Sequence, residues 1–217
     1  MKNNPVQITR KKAETKIEPV LTGDEIFLSE QEVEFLDALA GILEYPVADW
    51  ESRLLRSKNL SAARNHDGSR QLEDFSENVD EFSLNQIQEL YTRTFDLSPV
   101  CALEVGYHLF GEDYKRGQFL AQLRETQNPY ELGQERQLPD YLPVVLRLLG
   151  QMDDPELRAG LIGYCLLPAL KKMKESLKNK SNPYESVFEC LEGSLNQIAE
   201  ESILPKTEVV EARYQNA

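Results

Sequence analysis

The side chains able to make or break bonds are sparse in this chain. It has two histidines, His66 and His108, and three cysteines, Cys101, Cys165 and Cys190. No HExxH, CxxC, GxSxG or Walker-type run occurs. A zinc-bound water, a redox dithiol, an activated serine and a phosphate cradle therefore all lack their usual residues. Gly106 and Gly111 bracket a helical segment rather than form a phosphate loop. His66 falls in a polar loop, and His108 lies between Tyr107 and Leu109 in an apolar helix, where a hydrogen-bonded structural role is expected. The cysteines are odd in number, widely spaced and set in apolar contexts, as expected of buried reduced thiols. The residues thus point to no catalytic site, no metal site and no resident cofactor.

What the chain does carry at helical spacing is aromatic and charged. Tyr91-Thr-Arg-Thr-Phe-Asp96 is followed by Gly106-Tyr-His-Leu-Phe-Gly111, Asp113-Tyr-Lys-Arg-Gly117 and Leu138-Pro-Asp-Tyr-Leu-Pro143. Rings at this spacing suit a surface that holds another protein, in which apolar anchors line a groove and polar residues rim it. Most of Tyr91, Phe95, Tyr107, Phe110 and Tyr114 is expected in the core, because rings bury large areas, with one or two lining the groove. The chain has 217 residues and a net charge of -13. That charge argues against nucleic acid, whose binding needs clustered Lys and Arg, and suits a basic peptide or simple solubility. No apolar run reaches membrane-spanning length, so membrane insertion is not expected. Arg10, Lys11 and Lys12 are followed by polar residues rather than the apolar stretch of a signal peptide, which points to a cytoplasmic protein.

Helices must position these residues. Ser29 with Glu32, and Ser83 with Gln86, have the spacing of capping boxes. Val33, Leu36, Ala40 and Leu43 follow the first as a helical stripe, and Val47–Arg56 forms a second short helix with Trp50 and Leu54 on one side. Ser57–Asp80 reads as a loop, rich in Asn, Asp, Gly and Ser. Ser98-Pro99 is expected to open a helix over Val100–Phe110, which Gly111 ends. Further helices are expected over Glu112–Thr126, with Tyr114, Phe119, Leu120 and Leu123 inward, over Tyr141–Gly150, from Asp154-Pro155 onward, and from Asn182-Pro183. Pro168 should kink or split its helix. Lys171, Lys172, Lys174 and Lys178 lie late in theirs, matching the dipole. No segment alternates at period two. The fold class is all-α, a single-domain bundle of about seven to nine helices over residues 24–203. A disordered arm, residues 1–23, precedes it and a flexible tail, residues 204–217, follows it.

The ordered motifs, over roughly Leu84–Leu149, resemble the NarJ/TorD family of redox-enzyme maturation chaperones. The resemblance implies a non-catalytic, all-helical protein. Its partner would be the apo catalytic subunit of a molybdenum-cofactor oxidoreductase, nitrate reductase first, bound through its N-terminal segment and held competent for cofactor insertion. Mapped onto this chain, it implies client-peptide binding by Tyr91, Phe95, Asp96, His108, Phe110, Asp113, Tyr114, Arg116, Asp140 and Tyr141. One departure is Gln137, where the family often has Glu. Asp140 carries two compatible readings: N-cap of the helix that Tyr141 begins, and acidic rim contact for a basic client. A permanent helical adaptor subunit and a metal-dependent enzyme using His108 are the alternative functions.

Overall fold

A computed structural model describes residues 28–63, 68–132, 137–178 and 180–203. The α-helices are α1 (Glu30–Ile42), α2 (Trp50–Ala63), α3 (Ser69–Val79), α4 (Leu84–Tyr91), α5 (Val105–Phe110), α6 (Tyr114–Gln127), α7 (Leu142–Gln151), α8 (Pro155–Leu161), α9 (Leu167–Leu177) and α10 (Tyr184–Ile203). The fold is all-α. Among the described residues the only sheet-like pairing is one antiparallel bridge between Glu104 and Tyr141.

Local chemistry sets half of these helix starts. The Glu32 carboxylate accepts from Ser29 N–H at 2.8 Å, and Ser29 Oγ accepts from Glu32 N–H. Gln86 Oε1 likewise accepts from Ser83 N–H at 2.9 Å. Asp113 caps α6 through Lys115 N–H, Asp154 caps α8 through Leu157 N–H, and Asn182 Oδ1 accepts from Tyr184 N–H at the head of α10. Each acceptor satisfies a donor that has no partner inside its helix. Gly111 ends α5 at φ 63°, a conformation that suits glycine. α8 passes through a π turn (Ile162–Leu166) into α9, where Pro168 sits in the first turn. The helical run is continuous past the proline, and the wider turn just before it accommodates the missing N–H.

α1 lies inside the bundle, with Phe35, Leu36, Leu39 and Ile42 fully buried against α7 and α2. α10 packs on α3, α8 and α9, and α5 on α6 and α9. Nearly all the buried apolar side chains among the described residues form one contiguous cluster. Its aromatic centre is Tyr184, whose ring lies 4.7 Å from Phe95 and 5.2 Å from Phe75. Arg147 of α7 reaches back to α1, donating to Asp37 at 2.8 Å, and pairs with Glu44.

Three expectations are corrected. Residues 57–80 are largely helical: α2 runs on to Ala63, and α3 buries Leu72, Phe75 and Val79, spaced three and four residues apart. The Val100–Phe110 helix is cut to α5. Pro99–Cys101 is a single 3-10 turn, and the Leu103 carbonyl and Val105 N–H that a longer helix would use bond instead to the 140–142 segment. Tyr114, expected inward, is 73% exposed, because it opens α6 ahead of the residues that reach the core. Residues 1–23, residues 204–217 and His66 lie outside the described residues.

Candidate docking face

The quoted motifs meet at the heads of two helices. Val105 N–H, the first donor of α5, bonds the Asp140 carbonyl at 2.9 Å, and Leu142 N–H, the first donor of α7, bonds the Leu103 carbonyl at 2.8 Å. Gly106 N–H donates to Asp140 Oδ2 at 3.0 Å. The two lead-in segments therefore cap each other's helices. The arrangement needs glycine at 106, since a Cβ there would lie 2.7 Å from Asp140 Oδ2 and 2.9 Å from the Phe119 ring.

Both expectations for Asp140 change. Tyr141, not Asp140, holds the N-cap position of α7, and the Asp140 side chain caps α5 instead. Nor is Asp140 a rim contact: it is 0% exposed and ion-paired with Arg116, whose Nε and Nη2 each lie 3.3 Å from Oδ2. Burial pushes its carboxyl above the usual range, and Arg116 and Gly106 N–H only partly offset this. Asp140 Oδ1 is buried with no hydrogen-bond partner.

Beside this clasp, the Tyr91 and Tyr141 hydroxyls stand 3.1 Å apart, both donating toward the Leu43 carbonyl at the end of α1. Tyr91 is buried and Tyr141 half-buried. Burial pushes the Tyr141 phenol up to about 12, with Glu44, Glu104 and Asp96 adding to the effect. Those three acids lie near enough to act on it. Glu44 is neutralised by Arg53 and Arg147. Asp96 and Glu104 form no ion pair among the described residues. Glu104 is half-buried, and burial raises its carboxyl above the ordinary range, with Asp140 and Asp96 pushing the same way. Tyr45, 46% exposed, stands edge-on to Tyr91 at 5.5 Å, and Leu97, beside Asp96, is 75% exposed. Tyr45 and Tyr141 are thus aromatic anchors near the unpaired Asp96 and Glu104, with the exposed Leu97 next to Asp96 in the chain, a surface suited to a segment carrying both apolar and basic residues.

Of the residues singled out in the sequence, Tyr91, Asp96, Arg116, Asp140 and Tyr141 come together here. Arg116 also lies over the Tyr107 ring at 5.8 Å. The others do not join them. Phe95 is core, packed on Tyr184 and Phe188. His108 turns inward, Nε2 to the Ala102 carbonyl at 2.6 Å, and burial lowers its pKa so that the neutral ring donates. Phe110 packs on Phe119, Asp113 is spent as a cap, and Tyr114 projects beside it. Glu104, Glu44, Tyr45 and Leu97 were missed. Only the position of Glu104 just before the glycine-aromatic run hinted at a role.

Among the described residues no three His, Cys, Asp or Glu side chains gather as a metal site, and no helix is long and apolar enough to cross a membrane. No family model matches the chain. Curated relatives do. The probable nitrate reductase molybdenum cofactor assembly chaperone NarW of Escherichia coli (strain K12) is 26% identical over 160 residues, 73% of this chain and 67% of that protein. The probable chaperone NarJ of Bacillus subtilis (strain 168) is 28% identical over 169 residues, 74% of this chain and 88% of that one. NarJ of Escherichia coli (strain K12) is 27% identical over 154 residues, 69% of this chain and 64% of that one. Over about 70% of its length, at 26–28% identity, the chain is similar to the NarJ and NarW nitrate reductase molybdenum cofactor assembly chaperones.

Proposed function

We propose that this chain is a cytoplasmic assembly chaperone that binds the apo catalytic subunit of a nitrate reductase and holds it competent for molybdenum cofactor insertion. The observation that carries the reading is the acidic, aromatic face around Tyr141, where Asp96 and Glu104 await cations and Tyr45 and Leu97 offer apolar contact. An N-terminal client segment with basic and apolar residues docks there. The chaperone favours the open apo subunit only by its differential affinity for that state, and cofactor loading releases it by removing the state. No bond-making residue is required.

The test is calorimetric titration of the full chain with a synthetic peptide of the reductase catalytic subunit's N-terminal segment. Asp96→Asn with Glu104→Gln is expected to weaken binding at least fivefold, about 1 kcal/mol, with the melting midpoint held. Unchanged affinity removes the face from the account. Retention of the chain by cofactor-loaded reductase as tightly as by the apo subunit would instead favour a permanent adaptor subunit.

A further inference from the structure

The charge of this chain is distributed unequally. Residues 1–23 hold Lys2, Arg10, Lys11, Lys12 and Lys16 against Glu14 and Glu18, a net of +3, which leaves the rest of the chain at -16. The same segment carries apolar residues among and just after its cations, including Val6, Ile8 and Ile17. It therefore has the chemistry that the docking face suits: basic and apolar residues, against the unpaired Asp96 and Glu104 and the exposed Tyr45 and Leu97.

The geometry allows the meeting. The face lies at the end of α1, where Leu43 receives the two tyrosine hydroxyls, and the basic segment is joined to the start of the same helix. α1 spans about 20 Å at 1.5 Å per residue. Lys12 precedes Leu28 by sixteen positions, a contour of about 55 Å when extended. Its cations can thus reach Asp96 and Glu104 with length to spare.

We propose that the chain's own basic segment, Met1–Gly23, docks on this face as a stand-in for the client and must be displaced by it. The inference rests on the docking reading above and adds a threshold to it. A tethered segment meets its site at an effective concentration on the order of 1 mM. A segment whose separate peptide binds at about 0.1 mM would therefore be mostly bound in place, and would weaken a competitor about tenfold. Client segments that bind no better than this are refused, so the chain discriminates against casual basic peptides.

The test uses full-length protein and a fluorescein-labelled synthetic peptide of residues 1–23. The variant Arg10→Gln, Lys11→Gln, Lys12→Gln, Lys16→Gln frees the face without touching it, and should bind the peptide about tenfold more tightly than wild type at low salt. Adding Asp96→Asn and Glu104→Gln to that variant should abolish the gain. Equal affinity of wild type and variant, or no binding by the variant, overturns the inference. Carbodiimide should couple Lys11, Lys12 or Lys16 to Asp96 or Glu104 within one molecule, and coupling found only between copies would also overturn it. The reductase peptide, titrated into the same proteins, keeps the two readings apart. If Asp96→Asn with Glu104→Gln abolishes binding of the 1–23 peptide but spares the reductase peptide, the client face is wrong and the self-docking stands. The reverse pattern removes the self-docking alone.

Discussion

Replacing Asp140 by alanine and by asparagine separates two contributions that the helix-head clasp combines. Asp140 Oδ2 accepts from Gly106 N–H at 3.0 Å and from Arg116 Nε and Nη2 at 3.3 Å. Alanine removes all of these. The buried Gly106 N–H then lacks an acceptor, a cost of about 1–3 kcal/mol. Arg116 is 21% exposed, so it can turn partly toward water and its loss falls at the low end of the range for a charged partner, about 1.5 kcal/mol. Asp140→Ala should therefore cost about 3 kcal/mol. Asparagine keeps an oxygen for Gly106 and gives up the attraction to Arg116, but it also ends the burial of a carboxylate that is 0% exposed. Burial is the largest influence on Asp140 and outweighs Arg116, since the carboxyl sits above its ordinary value. Asp140→Asn should consequently stay within about 1 kcal/mol of wild type at pH 7. The sign of the pH dependence follows. A carboxyl raised in the fold contributes stability that is full below its unfolded value and lost as pH rises through the folded one. Wild type should thus gain on the asparagine variant between pH 7 and pH 4, and Glu104, which Asp140 pushes up in wild type alone, moves the difference the same way. Urea unfolding followed by circular dichroism measures all three chains. If asparagine costs as much as alanine, or if its relative stability improves as pH falls, attraction to Arg116 outweighs burial and the ranking is wrong.

Gly106→Ala should lower stability by about 1–3 kcal/mol, because its new Cβ would stand 2.7 Å from Asp140 Oδ2 and 2.9 Å from the Phe119 ring; an unchanged urea midpoint would show that the clasp yields at little cost. The buried Cys101 thiol is pushed up to about 11, so it should react with iodoacetamide at pH 8 at least tenfold more slowly than free cysteine, and mass spectrometry showing it labelled first among the three cysteines would contradict the burial.

Local signals were readable because their partners are local. Ser29 with Glu32 and Ser83 with Gln86 are bonded across three residues, and Asp154 caps the donor three positions on. α3 was hidden by composition: its polar residues are plentiful, yet Leu72, Phe75 and Val79 carry the helical period that decides burial. The Pro99 region misled for a different reason. A serine-proline pair opens a helix only if the following backbone is free, and here the 140–142 segment claims Leu103 and Val105. The docking face was half legible. Tyr91, Asp96, Arg116 and Tyr141 were flagged by type and spacing, whereas Glu104 and Tyr45 acquire their roles from neighbours distant in sequence. Asp140 shows the limit well: its residue type announced a cap, but the capped donor lies 34 positions away, where no local pattern reaches.

The exchange of bonds between Leu103–Val105 and Asp140–Leu142 closes the chain into a ring, and α6 lies wholly within it. A ring shares one closure among everything it holds: the heads of α5 and α7 form or come apart as a unit, and hydrogen exchange at Val105, Gly106 and Leu142 should report a single opening free energy. The circumference is cheap to alter, since doubling a loop adds only about 0.6 kcal/mol. Relatives can therefore gain or lose residues between α6 and Leu138 while the join itself stays fixed, much as a buckle keeps its shape whatever the length of the belt.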